Sequence, residues 1–196
     1  VQEDPGLTEQ LTLLLMHCMM VRKYAGAELW QYIICNILPK YHGKISKTNL
    51  ETELALHFQK TVNLAPFNGT YNTLFSSLHL VEISSNEYSL IPHNFNEECI
   101  YLYAYILYEY WDEWISSFDP TKKDALKISN TELTSLQLAE IGFSFPFGWN
   151  EQDEYRALEA MNDKGIITLN RQMTPFSIRR IYSKEQLIDL LYSELC

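Results

Sequence analysis

Glycine is scarce, with 7 in 196 residues. Neither GxGxxG nor GxxxxGK[ST] occurs, so the backbone cradles that hold nucleotide phosphates are missing and nucleotide hydrolysis is not expected. Cysteine is sparse and scattered: Cys18, Cys35, Cys99 and Cys196 lie in or beside apolar periodic segments and form no CxxC pair. That spacing excludes a disulfide framework and a zinc site, and it predicts reduced, mostly buried thiols. No apolar run reaches the roughly 18 residues of a membrane span. The opening "VQEDPGLTEQ" lacks the basic region and cleavage site of a secretion signal. A soluble cytoplasmic chain without a membrane contact is expected.

Positive charge is also short, with 15 Lys and Arg against 25 Asp and Glu and a formal net charge of −10. An even spread would repel nucleic acid. The excess is local, however: Glu82 to Glu159 holds 15 acidic and 4 basic residues. The remainder is near neutral and carries two basic clusters, Lys40, Lys44, Lys47 and Lys60, then Lys164, Arg171, Arg179 and Arg180.

What is present is apolar periodicity, in a chain that is 46% hydrophobic. Asp4 and Pro5 read as N-cap and first turn of a helix from Leu7 to Tyr24, interrupted by Gly26. "AELWQYIICNILPKYHG" predicts a second helix stopping near Asn36 to Leu38, because the residue before Pro39 is pushed out of helical geometry. A third, with Leu50, Leu54 and Phe58 on one face, is capped by Ser46 or Thr48, and Thr48 with Glu51 fits a capping box. After the turn "NLAPFNGT", "YNTLFSSLHLV" predicts a helix and "VEISSNEYSLIP" a hairpin.

The second half repeats that order. A long aromatic helix, "NEECIYLYAYILYEYWDEWISSF", ends near Asp119 and Pro120. A short helix follows, capped by Ser129 or Asn130 with Glu132 at capping-box distance; then come a helix over Glu151 to Asp163 closed by Gly165, a hairpin in "GIITLNRQMTPFSIRRIYS", and a capped helix in "SKEQLIDLLYSEL". The expected fold class is mainly α with short β-hairpins, as tandem winged-helix-like units over residues 1–95 and 96–196.

Several of these segments resemble a bacterial family described as a domain of unknown function, number four thousand and seven. They are "EDPGLTEQLTLLLMHCMM" with "AELWQYIICNILPKY", "LVEISSNEYSLIP", "YLYAYILYEYW", "GWNEQDEYRALEAMNDKGIITLNR" and "FSIRRI". The resemblance covers nearly the whole chain. It implies a setting beside DNA phosphorothioation and other DNA-modification or phage-defence genes, and no known reaction. The family usually carries a further N-terminal segment, and its Ser-Pro-Gly turn corresponds to "FPFGW" here.

No catalytic, metal or cofactor constellation is expected. His17, His42, His57, His79 and His93 form neither HExxH nor a cysteine-paired motif, and adjacent His17 and Cys18 point about 100° apart on a helix, which argues against a nucleophile and its base. Glu109, Asp112 and Glu113 lie one turn apart, but a solvated helix face is the commoner use of such carboxylates. Tyr101, Tyr105, Tyr108 and Trp111 suggest a base-stacking platform; their helical spacing favours packing between the two halves.

For duplex DNA, the expected contacts are Asn68, Thr70, Tyr71 and Asn72 at a helix N-terminus, with Lys44, Lys47 and Lys60 on backbone phosphates and Arg171, Arg179 and Arg180 as a wing in the minor groove. The bland alternative is a turn at Asn68 and Gly69 beside solvated arginines. Two functions follow: a non-enzymatic accessory subunit of a DNA-modification or phage-defence system that binds DNA and partner subunits, or a pure protein–protein adapter. A partner protein is expected under both.

Overall fold

The computed structural model describes residues 9–119, 128–172 and 174–193. The chain divides into two compact units, one running to Asn94 and including Phe145–Trp149, the other comprising Phe95–Ser144 and the chain from Asn150 onward. The chain is mainly helical, and each unit carries one antiparallel sheet of three strands. Among the described residues no helix is long and apolar enough to cross a membrane.

In the first unit, α1 (Gln10–Met20) buries Leu13, Leu14, His17 and Cys18. The Asp4–Pro5 start lies outside the described residues. The chain then reverses so tightly that a Cβ on Gly26 would come within 2.4 Å of the Arg22 carbonyl oxygen, so only glycine fits. Helix α2 (28–40) does not stop before Pro39 as expected. It widens into a π-helical stretch, Tyr32–Ile37, and resumes as a turn over Leu38–Lys40, with the Leu38 amide donating to the Ile33 carbonyl. The wide turn is the physical reason: it spares the clash between a proline ring and the carbonyl four residues back that an α-helix would impose.

Strand β1 (Lys44–Ser46), which the sequence did not announce, runs straight into α3 (Lys47–Phe58). Ser46 caps that helix by accepting from the Asn49 amide, so the cap is Ser46 rather than a Thr48–Glu51 box. Helix α4 (65–74) begins with a turn over Ala65–Gly69, Pro66 in its first turn, and continues as a π-helical stretch over Thr70–Leu74. Strands β2 (Val81–Ile83) and β3 (Glu87–Leu90) form the expected hairpin, and β3 lies between β2 and β1, with buried Ile45 opposite buried Tyr88.

The second unit starts with α5 (Ile100–Ser116), in which ten residues are buried. The segment read as a short helix capped at Ser129 or Asn130 is instead β4 (Glu132–Thr134), followed at once by α6 (Ser135–Ile141). Ser129 accepts from the amides of Thr131 and Glu132, stabilising a turn, and the capping box belongs to Thr134 and Gln137. Thr134→Ala is expected to cost about 1 kcal/mol in urea unfolding. Helix α7 (Glu151–Asp163) is capped by Asn150, and Gly165 follows at φ +70°. Strands β5 (Ile167–Asn170) and β6 (Ser177–Arg180) form the hairpin, β6 lies between β5 and β4, and Leu133 sits opposite Ile178. Helix α8 (Lys184–Ser193) closes the unit, with Leu187 and Leu191 buried and Ser183 and Gln186 capping each other's backbone.

Candidate nucleic-acid and partner interface

The expected DNA-contacting cations mostly hold carboxylates. Lys44 lies 2.9 Å from Glu87, Lys47 4.0 Å from Glu51, and Arg171 2.8 Å from Glu159. Lys40, in the same basic cluster, is 2.6 Å from Glu53, which also accepts from the Tyr41 hydroxyl. Each exposed pair adds little to stability. Its electrostatic consequence is larger, because a lysine beside a carboxylate presents almost no net charge to a phosphate, and few counterions would be released for such contacts. Lys60 and Arg179 are exposed and form no ion pair among the described residues, although Arg179 stands opposite Glu132 in the sheet register.

The polar quartet does not sit at a helix N-terminus. Pro66 starts α4 upstream, which places Asn68, Thr70, Tyr71 and Asn72 in its body. Asn68 accepts from the Tyr88 hydroxyl and Thr70 donates back to the Pro66 carbonyl, so neither side chain is idle. Tyr71 is 3% exposed and points into the core. Asn72 alone of the four is fully on the surface. The exposed face of α4 carries no charge, and α7, its counterpart in the second unit, carries Glu151, Asp153, Glu154, Glu159 and Asp163 against Arg156, a net charge of −4.

Tyr71 serves a buried cluster in the first unit. Its hydroxyl lies 3.1 Å from His17 Nδ1, and His17 Nε2 lies 2.9 Å from the Pro146 carbonyl. A carbonyl only accepts, so Nε2 carries the proton and Nδ1 accepts from Tyr71, which fixes the neutral tautomer. Burial lowers the imidazole to about 4, with the Pro146 bond opposing and the charge of His93 adding to the shift. The turn at Phe145–Phe147 that supplies this carbonyl is held to His93: the His93 amide donates to Phe147, and Trp149 Nε1 donates to the His93 carbonyl. Gly148 closes the turn at φ +64°, where a Cβ would come within 3.2 Å of Leu90.

Arg180 was expected on a wing and is instead turned onto α5. Its guanidinium donates to Asp112 at 2.6 Å and to the Tyr108 carbonyl at 3.1 Å, and it lies 4.6 Å and 4.0 Å from the ring centres of Tyr108 and Trp111. Lys184 completes the network, 3.1 Å from Glu109 and 2.9 Å from Asp112. Glu109 and Asp112 are therefore not a solvated face. Four half-sheltered charges tie β6 and α8 to α5 inside the second unit. Tyr108 and Trp111 are fully buried there, while Tyr101 and Tyr105 keep partial exposure. Nothing in the aromatic spacing distinguished these roles, because the deciding partners lie about 70 residues downstream.

The remaining histidines are dispersed. His57 stacks on Tyr32 at 3.6 Å, and exposed His42 and His79 occupy left-handed turn positions. Burial pushes the Cys35 thiol up to about 12 and raises Cys18 and Cys99 as well, so none is a ready thiolate at neutral pH. Among the described residues no three His, Cys, Asp or Glu side chains gather as metal ligands. No family model, curated protein or solved structure matches this chain.

Proposed function

We propose that the chain is a cytoplasmic, non-enzymatic protein–protein adapter built from two tandem winged-helix-like units, working in the DNA-modification or phage-defence setting that its family resemblance implies. The order of elements supports the fold part of this reading. Each unit contains the run helix, strand, helix, helix, strand, strand, with one more helix before it in the first unit and one more after it in the second, and the last strand lies in the middle of its sheet. A helix–turn–helix followed by a hairpin is the layout of a winged helix, a scaffold used for DNA and for protein contacts alike.

One observation carries the adapter reading over the DNA reading: the cations that would meet phosphates are already matched with carboxylates, and the helix in the recognition position is uncharged in one unit and strongly acidic in the other. DNA contact would be left to Lys60, Asn72 and Arg179. Fluorescence anisotropy with a labelled duplex decides between the two. The adapter reading expects no saturable binding tighter than about 10⁻⁴ M at ~50 mM salt. Tighter binding that falls steeply with salt and is abolished in Lys60→Glu and Arg179→Glu would overturn it.

A further inference from the structure

The second unit has a groove of about 630 Å³ between α6 and α7. Its walls are Leu136 and Ala139 from α6, Tyr155 and Leu158 from α7, and Phe176 at the entry to β6, with Glu151 and Glu154 along one edge. The spacing explains the shape. Residues 151, 154, 155 and 158 stand at i, i+3, i+4 and i+7 on α7, and residues 136 and 139 at i and i+3 on α6, so two helix faces open toward each other. Tyr155 meets Phe176 edge-on at 5.8 Å.

Leu136 is the telling residue. It is 68% exposed at the second position of a seven-residue helix whose core side already uses Leu138 and Ile141. The capping box of Thr134 and Gln137 needs nothing from it. Acidic residues in the first turn of α7 have an ordinary use, since they suit the positive end of the helix dipole. That use does not account for an apolar trough beside them. Nor is the charge there relieved: burial raises the Glu154 carboxyl, a hydrogen bond from Ser144 opposes the shift, and the charge of Glu151 adds to it. Arg171 lies 5.6 Å from the Tyr155 ring centre but is paired with Glu159, and Arg156 lies over the Phe95 ring.

We propose that this groove seats an amphipathic helix of a partner protein, with apolar side chains entering between Leu136, Tyr155 and Phe176 and lysines or arginines meeting Glu151 and Glu154. The proposal rests on the adapter reading and names the chemistry of its partner. An α6 of seven residues is about 10 Å long, which matches two turns of a docked helix and an i, i+3 or i+4 pair of apolar anchors. Charge complementarity sets the sign: a groove edged by carboxylates on a helix of net charge −4 steers a cationic segment and repels an anionic one.

The test uses the whole chain, isotope-labelled for NMR, and a synthetic peptide of about 14 residues with leucines at i, i+3, i+4 and i+7 spacing and lysines elsewhere. The expected result is saturable shifts centred on Leu136, Tyr155 and Phe176, with binding weakened about tenfold or more in Leu136→Asp and several-fold in Glu151→Lys. The same peptide with glutamates in place of lysines should not bind. Far-UV circular dichroism of Leu136→Asp should be unchanged, because that side chain is exposed. Equal binding by Leu136→Asp, shifts centred elsewhere, or no binding of the lysine peptide overturns the proposal. Self-association in sedimentation that disappears in Leu136→Asp overturns it too, by giving the groove to a second copy of this chain. Duplex anisotropy on the same sample reports separately on the adapter reading.

Discussion

Arg180→Ala is expected to destabilise the second unit by about 2–4 kcal/mol, read as a lower urea midpoint, whereas Arg179→Ala should change stability by no more than about 0.5 kcal/mol. The two arginines are neighbours on β6 and differ in what surrounds them. The Arg180 side chain keeps only 15% of its surface in water, while Asp112 keeps 33%, which places the effect below the full cost of breaking a buried pair. Burial lowers the guanidinium from its usual value, and the Asp112 hydrogen bond and charge work against that shift. Removing the side chain uncovers the faces of Tyr108 and Trp111, strips a donor from the Tyr108 carbonyl and leaves Asp112 with Lys184 alone. Arg180→Lys retains charge without the planar fork, so it should recover less than half of the loss. A double-mutant cycle with Asp112→Asn should return a coupling of about 1–3 kcal/mol. Equal midpoints for Arg179→Ala and Arg180→Ala would sink the assignment. Replacing both arginines together would weaken the fold, so Arg179 is the clean probe of a nucleic-acid wing.

Periodicity made the long elements legible. Helices α1, α5 and α7 and both hairpins follow from apolar spacing, because those signals repeat over several turns or alternate over several residues, and Gly165 marked the end of α7. Strands β1 and β4 were missed because each has three residues and one inward side chain, Ile45 or Leu133, which is too short for alternation to register. Each strand passes directly into a helix whose cap is its own last residue, Ser46 or Thr134, so cap and strand compete for the same letters. Pro39 and Pro66 misled in opposite directions. One sits in a helix that widens to accommodate it, and the other starts a helix before the turn that Asn68 and Gly69 suggested. The candidate site was less legible still. Lys44 with Glu87 and Arg180 with Asp112 are matched across strands or across 68 residues, and charge pairing at that range leaves no local spacing to read. The groove lay hidden for a related reason: Leu136 reads as one more apolar helix residue until its neighbours are known to leave it outside.

The first unit should lose stability as the pH falls from about 6.5 to about 4, approaching about 3 kcal/mol from His17 alone. The sign follows from proton counting. In the folded chain the imidazole stays neutral down to about 4, while in the unfolded chain it takes up a proton near 6.5, so within that window only the unfolded state binds the proton. Above 6.5 neither state does, and the stabilisation is complete. Protonating Nδ1 would also reverse its role toward Tyr71, which must then turn its own proton away from the ring. Cys18, Cys35, Tyr71 and His93 are the titratable groups around it, and all but His93 stay neutral through this range. Burial lowers His93 as well, so it adds a smaller slope of the same sign. Glu53, held low first by its hydrogen bond to Lys40, contributes only below the ordinary carboxylate range. His17→Gln separates these terms, since a glutamine can donate to the Pro146 carbonyl and accept from the Tyr71 hydroxyl without titrating. Urea midpoints of this variant should be nearly flat between pH 6.5 and 4.5 while those of the unaltered chain fall steadily. A slope that survives His17→Gln unchanged would move the acid sensitivity elsewhere and leave the buried imidazole as packing alone.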